Sequence, residues 1–375
     1  MRLADLIGQS GATTVLRNAI RRDRVAQAYL FWGPEGVGKS TAAVLFAQAL
    51  NCLSDERGAT GDACGECRSC QLIAKGSHPD VRVITPAGEG EGSVIPIEVI
   101  RNEFVHDIHL RPVTGRHKVY LLDPADRTAP LAIHTILKAL EEPPARVVTI
   151  LVTSRPALLP PTVPSRCQQV AFRLAGTEAV ERKLRELDVE PETAAALARI
   201  SGGRVGWAIR AAARPQIAAT RQALLDLCAA LDRQPISSAL RLAEEIKLLA
   251  AELARADERE GAESGDEEEE DADEEAAAAS RGTRAVPNRA VRAQLPWCLE
   301  VMASWYRDCL AAAEGAPLVN PDQAGVIGEA GRSLSCQRAG AAVEAVLAAR
   351  RQIERNANMD LALECLALGL LGGDG

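Results

Sequence analysis

The sequence has few aromatic residues and no long hydrophobic run. Phenylalanine, tryptophan and tyrosine make up 3% of the 375 residues. No stripe of arginine and lysine with interleaved aromatics is present, so a surface that reads or stacks on bases is not indicated. No apolar run approaches the ~20 residues that a membrane-spanning helix needs. The first residues, Met1-Arg2-Leu3-Ala4-Asp5, show no charged region followed by an apolar core, so we expect no secretory signal and a cytoplasmic location without membrane attachment.

Negative charge is concentrated in one segment. The net charge is −8, but residues 257–275 hold thirteen acids and one arginine, so this segment carries −12 and the remainder +4. Such a composition cannot bury enough apolar surface to fold, which predicts a disordered insert at about 256–286. We interpret the insert as a solvated spacer, with an interaction tail as the alternative.

One motif is typical of phosphate binding. Residues 33–40 match the pattern G-x-x-x-x-G-K-[ST] between a strand-like run and an alanine-rich helical run. The matching residues are Gly33, Pro34, Glu35, Gly36, Val37, Gly38, Lys39 and Ser40. Lys39 can reach the β and γ oxygens of a triphosphate, and Ser40 can ligate Mg²⁺ at the positive end of the helix. The sequence therefore predicts a site for a nucleoside triphosphate with Mg²⁺, in which we include the adjacent Thr41.

The chain after this loop alternates apolar runs with amphipathic stretches, which predicts an α/β fold with buried parallel strands. The predicted strands are 28–32, 81–84, 118–122 and 147–152, and the predicted helices are 97–108 and 130–140. The third strand ends in Asp123, the layout of a Walker B element whose aspartate helps to hold Mg²⁺. Parallel topology would place this carboxylate beside the triphosphate.

Ten cysteines in a chain without an export signal should be mostly reduced. Cys64, Cys67 and Cys70 have a C-x-x-C-x-x-C spacing and follow Cys52 by a short loop, and four such thiolates can close a tetrahedral Zn²⁺ site. All four ligand positions are cysteine, with no catalytic histidine or carboxylate as a ligand, so the site would be structural; an iron–sulfur cluster or plain thiols are the alternatives. We interpret the remaining cysteines mainly as buried inert thiols: Cys167, Cys228, Cys298, Cys309, Cys336 and Cys365.

The rest of the chain is predicted to be helical. The pattern of residues 177–212 predicts three short helices, and the stretches 215–255 and 286–371 predict a helical bundle that the acidic insert interrupts. A chain of this length is expected to hold two or three domains. We predict domains at 1–174, 175–213 and 214–375.

Two further stretches carry a family resemblance. Residues 132–144 (AIHTILKALEEPP) and 158–167 (LLPPTVPSRC), together with the phosphate loop and the four cysteines, resemble the bacterial clamp-loader branch of the AAA-plus ATPases over about residues 6–173. Residues 305–308 (WYRD), with Asn320 and Pro321, resemble the helical collar of the delta-prime branch of that family. The resemblance implies an AAA-plus P-loop domain with an inserted four-cysteine zinc module at 52–70, a small helical lid and an all-α collar.

The resemblance also implies roles for single residues. Lys39 and Ser40 match the Walker A residues that bind ATP, and Asp123 matches the Walker B acid. Thr153 or Ser154 lies where a polar sensor 1 side chain follows its strand. Arg166 matches the arginine finger that one subunit gives to its neighbour; an interface salt bridge is the alternative.

Two positions depart from the pattern of the hydrolysing subunits. Those subunits carry a glutamate after the Walker B aspartate, where this chain has Pro124, and a sensor 2 arginine at the place that Gly206 takes here. Without these groups we expect ATP binding with little or no hydrolysis. Arg204 or Arg210 could reach in from a neighbouring turn, which leaves weak activity open.

The resemblance implies partners as well. These are gamma/tau and delta subunits in a hetero-pentamer within DNA polymerase III, a DNA-directed DNA polymerase, with indirect contact to the sliding clamp and to primer-template DNA. Two alternatives are an active gamma/tau-type ATPase, against which Pro124 and Gly206 argue, and a P-loop nucleotide kinase with a zinc-stapled lid. Such a kinase has no use for Arg166 in its Ser-Arg-Cys motif or for a helical collar.

Overall fold

The computed structural model describes residues 1–86, 93–141, 144–231, 234–263 and 286–372, with backbone only for residue 215 and for 257–263. The chain divides into two compact units. The first comprises Met1–Glu190 and Ser201–Ile209, and the second comprises Pro191–Ile200 with the residues from Arg210 onward.

A parallel five-stranded sheet forms the centre of the first unit, in the order β2-β3-β4-β1-β5. Its strands are β1 Ala28–Trp32, β2 Val81–Ile84, β3 Lys118–Leu122, β4 Val147–Thr153 and β5 Gln168–Ala171. The four strands predicted from apolar runs are confirmed. The pattern did not predict β5, because this edge strand buries one residue, Val170, and exposes the other three.

Helices cover both faces of this sheet, as buried parallel strands require. One face packs against α1 and α2, around Phe31 and Phe46, and the other packs against α6, around Tyr120 and Ile136. The predicted helix at 97–108 begins as an α-helix and continues as a π-helical segment that ends at Val105. The helices of this unit are α1 Ser10–Arg21, α2 Lys39–Asn51, α3 Arg57–Thr60, α4 Arg68–Ala74, α5 Ile97–Val99 with the π-helix Ile100–Val105, α6 Pro130–Glu141, α7 Thr177–Glu186 and α9 Val205–Ala212, whose last three residues group with the second unit.

The second unit is all helical in its described residues. Its helices are α8 Pro191–Ile200, α10 Pro215–Ala230, α11 Ala239–Glu263, α12 Asn288–Ala313, α13 Ala324–Ser333, α14 Cys336–Glu354 and α15 Met359–Leu371. We placed α8 in a lid at 175–213, yet it groups with this unit. The three domain boundaries stay predictions.

Two residues of the collar-like signature form a buried polar centre in this unit. Asp308 is fully buried and accepts hydrogen bonds from the N–H groups of Val319 at 2.9 Å and Asn320 at 2.7 Å. Arg221 donates to the side chain of Asn320 at 2.7 Å and to both carboxylate oxygens of Asp322 at 2.8 Å. These bonds tie α10 and α12 to the segment before α13.

Three sequence expectations need correction or fall outside the described residues. The helix α11 continues to Glu263, so the segment 256–263, which we predicted to be disordered, is helical. The rest of the predicted insert, 264–285, lies outside the described residues. Cys336 and Cys365 are exposed and not buried, whereas Cys228, Cys298 and Cys309 are buried. Within the described ranges, no helix has both the length and the apolar composition to cross a membrane.

Candidate functional site

The phosphate loop connects the end of β1 to the start of α2. Gly33, Gly36 and Gly38 have φ values of 146°, 74° and 94°, a region that side chains with a Cβ rarely adopt. A Cβ at Gly33 would collide with the carbonyl oxygen of Phe172. Glycine at these positions lets the loop turn its N–H groups inward at the amino end of α2, where the helix dipole favours an anion.

Lys39 is the first residue of α2, and its side chain lies inside the loop. It is 7% exposed, and its ammonium donates to the carbonyl oxygens of Gly33 at 2.9 Å and Pro34 at 2.7 Å. Burial lowers the pKa of Lys39, while the carboxylates of Glu35 and Asp123 work against that shift. The cation is thus held where a triphosphate would need it, with loop carbonyls as its partners.

Ser40 and Asp123 meet at the carboxyl edge of the sheet. Asp123 follows β3, and the hydroxyl of Ser40 donates to its carboxylate. Burial raises the pKa of Asp123, and this hydrogen bond and the charge of Lys39 oppose the rise. A hydroxyl and a carboxylate side by side are oxygen ligands of the kind that Mg²⁺ prefers. Ser40 and Thr41 are both exposed.

Thr153 ends β4, in the strand between β1 and β3, and is fully buried. Its hydroxyl donates to a carboxylate oxygen of Asp126 at 2.6 Å and accepts from the N–H of Arg155 at 2.9 Å. The other oxygen of Asp126 accepts from the guanidinium of Arg155 at 3.0 Å. The predicted sensor residue is therefore engaged by an acid that the sequence did not single out.

Other parts of the first unit hold the loop from outside. The side chain of Gln9 donates to the carbonyls of Val37 at 3.4 Å and Arg173 at 2.7 Å, and so links the loop to the chain after β5. The N–H of Gly206 donates to the carbonyl of Gly36 at 2.8 Å. Arg204 packs against the same glycine, since a Cβ at Gly36 would lie 3.2 Å from the Cβ of Arg204. The position predicted for a sensor 2 arginine thus contributes a backbone donor.

Arg166 lies just before β5, at one edge of the sheet. Its guanidinium forms an ion pair with Glu141 at 2.9 Å and donates to the carbonyl of Thr162 at 3.3 Å. The side chain is 36% exposed. The predicted arginine finger is therefore displayed at the surface of the unit.

The four predicted zinc ligands come together. The sulfur atoms of Cys52, Cys64, Cys67 and Cys70 all lie within 4.8 Å of one another. Cys52 follows the last residue of α2, and Cys67 and Cys70 stand at the start of α4. Four sulfurs at these separations fit a tetrahedral Zn²⁺ site with Zn–S bonds of about 2.3 Å.

Backbone N–H groups point to sulfur atoms of this cluster. The N–H groups of Cys64 and Cys67 each point to the sulfur of another cysteine in the cluster, Cys52 and Cys64 respectively, at 3.3 Å. Burial alone would raise the pKa of Cys67, yet hydrogen bonds from N–H groups, including that of Leu53, and from neighbouring thiols lower it to about 7. Burial raises the pKa of Cys52 and of Cys70. The donor set and its surroundings fit zinc, which requires deprotonated sulfur.

Sequence reasoning missed Gln9 and Asp126. Asp126 reaches the site because a 3₁₀ turn, Ala125–Arg127, follows Asp123, and no spacing rule signals such a turn. Gln9 contacts residues far along the chain, so no local pattern could identify it. A buried acid or amide beside a phosphate loop is visible only when the strands are in place.

A parallel sheet with a glycine loop between β1 and α2, and an acid after β3, defines the fold of P-loop nucleotide-binding proteins. Comparison with known proteins narrows this class. Residues 8–175 match the family model described as "DNA polymerase III, delta subunit".

Curated relatives of two types are also similar to this chain. The delta' subunit of DNA polymerase III from Pseudomonas aeruginosa is 40% identical over 184 residues, which cover 48% of this chain and 54% of the relative. The delta' subunit from Bacillus subtilis is 34% identical over 213 residues, covering 57% and 62%. The tau/gamma subunit from Haemophilus influenzae is 37% identical over 181 residues, covering 48% and 25%.

These similarities support the clamp-loader AAA family for the amino-terminal half of the chain. They do not separate delta' from tau/gamma subunits. The chain spans between 25% and 62% of the length of these three relatives.

Proposed function

We propose that this protein is a delta-prime-type clamp-loader subunit of DNA polymerase III. In this role it binds ATP with Mg²⁺, hydrolyses it little or not at all, and supplies Arg166 to the active site of a neighbouring ATPase subunit. The observation that carries the proposal is Pro124, which directly follows Asp123, the acid expected to hold Mg²⁺. A proline side chain has no group that can orient an attacking water.

The case for nucleotide binding rests on the loop. Three glycines at positive φ, a buried Lys39 and the Ser40–Asp123 pair supply the backbone donors, cation and oxygen ligands that a magnesium-bound triphosphate needs. These groups bind phosphate without taking part in proton transfer. Binding can therefore persist where hydrolysis is lost.

The case against hydrolysis rests on two positions. Losing a general base costs about 10² to 10⁴ in rate, and an arginine at the transferring phosphate contributes about 10³ to 10⁵. Pro124 stands where the general base would be. Gly206 stands where the arginine would be, and its N–H donates to the carbonyl of Gly36 in the loop. A gamma/tau-type motor would need both groups.

The case for a trans role rests on the position of Arg166. Its partners are Glu141 and Thr162, and its side chain is 36% exposed just before the edge strand β5. In a ring, an exposed arginine at such an edge can stabilise charge on the γ-phosphate of an adjacent subunit.

The proposal includes gamma/tau and delta subunits as ring partners, in a cytoplasmic replication complex. The helical second unit would supply the collar. The sliding clamp and primer-template DNA would be contacted within the assembled ring, through phosphates where DNA is touched.

Three measurements with the full chain test the proposal. Isothermal titration with Mg²⁺ and ATP should show binding that Lys39→Ala abolishes, and a phosphate-release assay should give little or no turnover. Native mass spectrometry with gamma/tau and delta subunits should show one copy in a pentamer. Robust turnover by the isolated chain would favour the gamma/tau alternative, and absence of both binding and assembly would refute the proposal.

A further inference from the structure

Asp126 is a buried acid beside the phosphate loop to which the proposed function gives no role. Its side chain is 1% exposed, and it is close enough to Lys39 and Asp123 to act on both electrostatically. Its two oxygens accept from the hydroxyl of Thr153 and from the guanidinium of Arg155.

The hydrogen bonds that the Thr153 hydroxyl already makes determine which further groups it can bind. A threonine hydroxyl has one proton to donate. Here that proton goes to Asp126 at 2.6 Å, and the oxygen accepts from the N–H of Arg155 at 2.9 Å. Only a lone pair is left to face any further group.

A γ-phosphate in its ionised form offers oxygens that accept hydrogen bonds and do not donate them. A sensor hydroxyl recognises it by donating a proton, and Thr153 cannot do so while Asp126 holds that proton. The carboxylate of Asp126 also acts electrostatically on Lys39, and its ion pair with the guanidinium of Arg155 at 3.0 Å offsets part of its negative charge. Since ATP carries more negative charge than ADP, this charge disfavours ATP in particular.

We infer that Asp126 holds Thr153 in a state that cannot detect the γ-phosphate, so that the site binds ADP about as well as ATP. This inference rests on the proposed function, because it presupposes that the loop binds a nucleotide and that Thr153 takes the sensor 1 role that the family resemblance implies. Asp126 is a positioning residue that acts through Thr153. Nucleotide binding by this subunit then does not depend on whether the γ-phosphate is present.

The test measures the dissociation constants of the full chain for ATP and ADP, with Mg²⁺, by isothermal titration, and follows their ratio. Asp126→Ala frees the Thr153 proton and removes a charge, so selectivity for ATP over ADP should rise about tenfold, the worth of one charged hydrogen bond. Asp126→Asn keeps an acceptor for that proton, so its selectivity should rise less. Adding Thr153→Val to Asp126→Ala should cancel most of the gain.

Asp107→Ala is the matched control. Asp107 is an aspartate of the same unit that pairs with Lys118 at 2.7 Å and accepts from the hydroxyl of Tyr120 at 3.2 Å. Its removal takes away one acid and one ion pair elsewhere in the unit. The ATP-to-ADP selectivity of this variant should equal that of the unmodified chain.

Three results would count against the inference or its basis. Unchanged selectivity in Asp126→Ala, with both nucleotides bound and the melting temperature kept, overturns it. A fivefold or larger loss of ATP selectivity in Thr153→Val alone also overturns it, since the hydroxyl would then contact the γ-phosphate, and this result does not depend on whether Asp126→Ala folds. Failure of the unmodified chain to bind either nucleotide would overturn the proposed function itself.

Discussion

Arg166 and Glu141 form an ion pair of 2.9 Å at the surface of the α/β unit, with side-chain exposures of 36% and 51%. An ion pair this exposed contributes about 0 to 1 kcal/mol, because water and salt screen it. The guanidinium is therefore positioned but weakly held. A phosphate of a neighbouring subunit can compete for it at small cost.

Arg166→Ala should lower DNA- and clamp-stimulated ATP hydrolysis by the reconstituted ring while leaving ATP binding by this chain unchanged. A main arginine finger contributes about 10³ to 10⁵ in rate, and the loss here should be smaller because other subunits carry their own fingers. Phosphate release by the ring and titration of the isolated chain measure the two effects.

Arg82→Ala is the control for that experiment, since Arg82 is an exposed arginine on β2, at the opposite edge of the sheet. It should leave hydrolysis by the ring at the unmodified level. Wild-type hydrolysis and clamp loading with Arg166→Ala would show that the pair with Glu141 is only structural.

The purified protein should contain about one Zn²⁺ per chain, and Cys67→Ser should lose it and lower the melting temperature. Loss of metal should also follow acidification, because protonated sulfur does not ligate zinc. Elemental analysis and thermal unfolding measure both effects. Cys365→Ser, at an exposed cysteine outside the cluster, should change neither. Metal-free protein of full stability would rule out a structural zinc site.

Asp80 should make stability depend on pH. Burial opposes its charge, yet the N–H groups of Val113, Gly115 and Thr114, at 2.6 to 2.8 Å, outweigh burial and lower the pKa of Asp80. A lowered pKa in the folded state adds stability that is present above the unfolded value of about 3.9 and is lost as pH falls through the folded pKa.

Asp80→Asn should therefore lose at least about 2 kcal/mol of unfolding free energy at pH 7, and the deficit should shrink below about pH 4. Denaturant unfolding at several pH values measures it. Asp55→Asn, at an exposed aspartate, should change stability by no more than about 0.5 kcal/mol. A deficit that stays constant down to about pH 3 would contradict the charge-based explanation.

Deleting residues 264–285 should leave the melting temperature within about 2 °C of the full chain, because a segment so rich in acids and poor in apolar residues has little to bury. This deletion spares α11, which extends to Glu263. Thermal unfolding and ring assembly are the measurements. Lost assembly at unchanged stability would favour an interaction tail over a spacer.

The sequence alone was enough to predict much of the α/β unit. Four of its strands are predominantly apolar runs, and the spacing of glycine and lysine in the phosphate loop predicts its function, so both are local properties. The four cysteines lie within nineteen residues of chain, which made their convergence predictable. β5 was not predicted, because an edge strand that buries only one residue has no apolar run.

Only the tertiary structure could show the contacts between distant residues. Asp126 meets Thr153 across 27 positions, and Gln9 meets Arg173 across 164. Such pairs depend on the strand order, which places β4 between β3 and β1 and brings the chain after β5 back to the loop. Local pattern determines which residues form a strand, but strand order results from packing the whole sheet. The chemistry at the carboxyl edge, including which acid holds the proton of Thr153, was therefore decided by the fold.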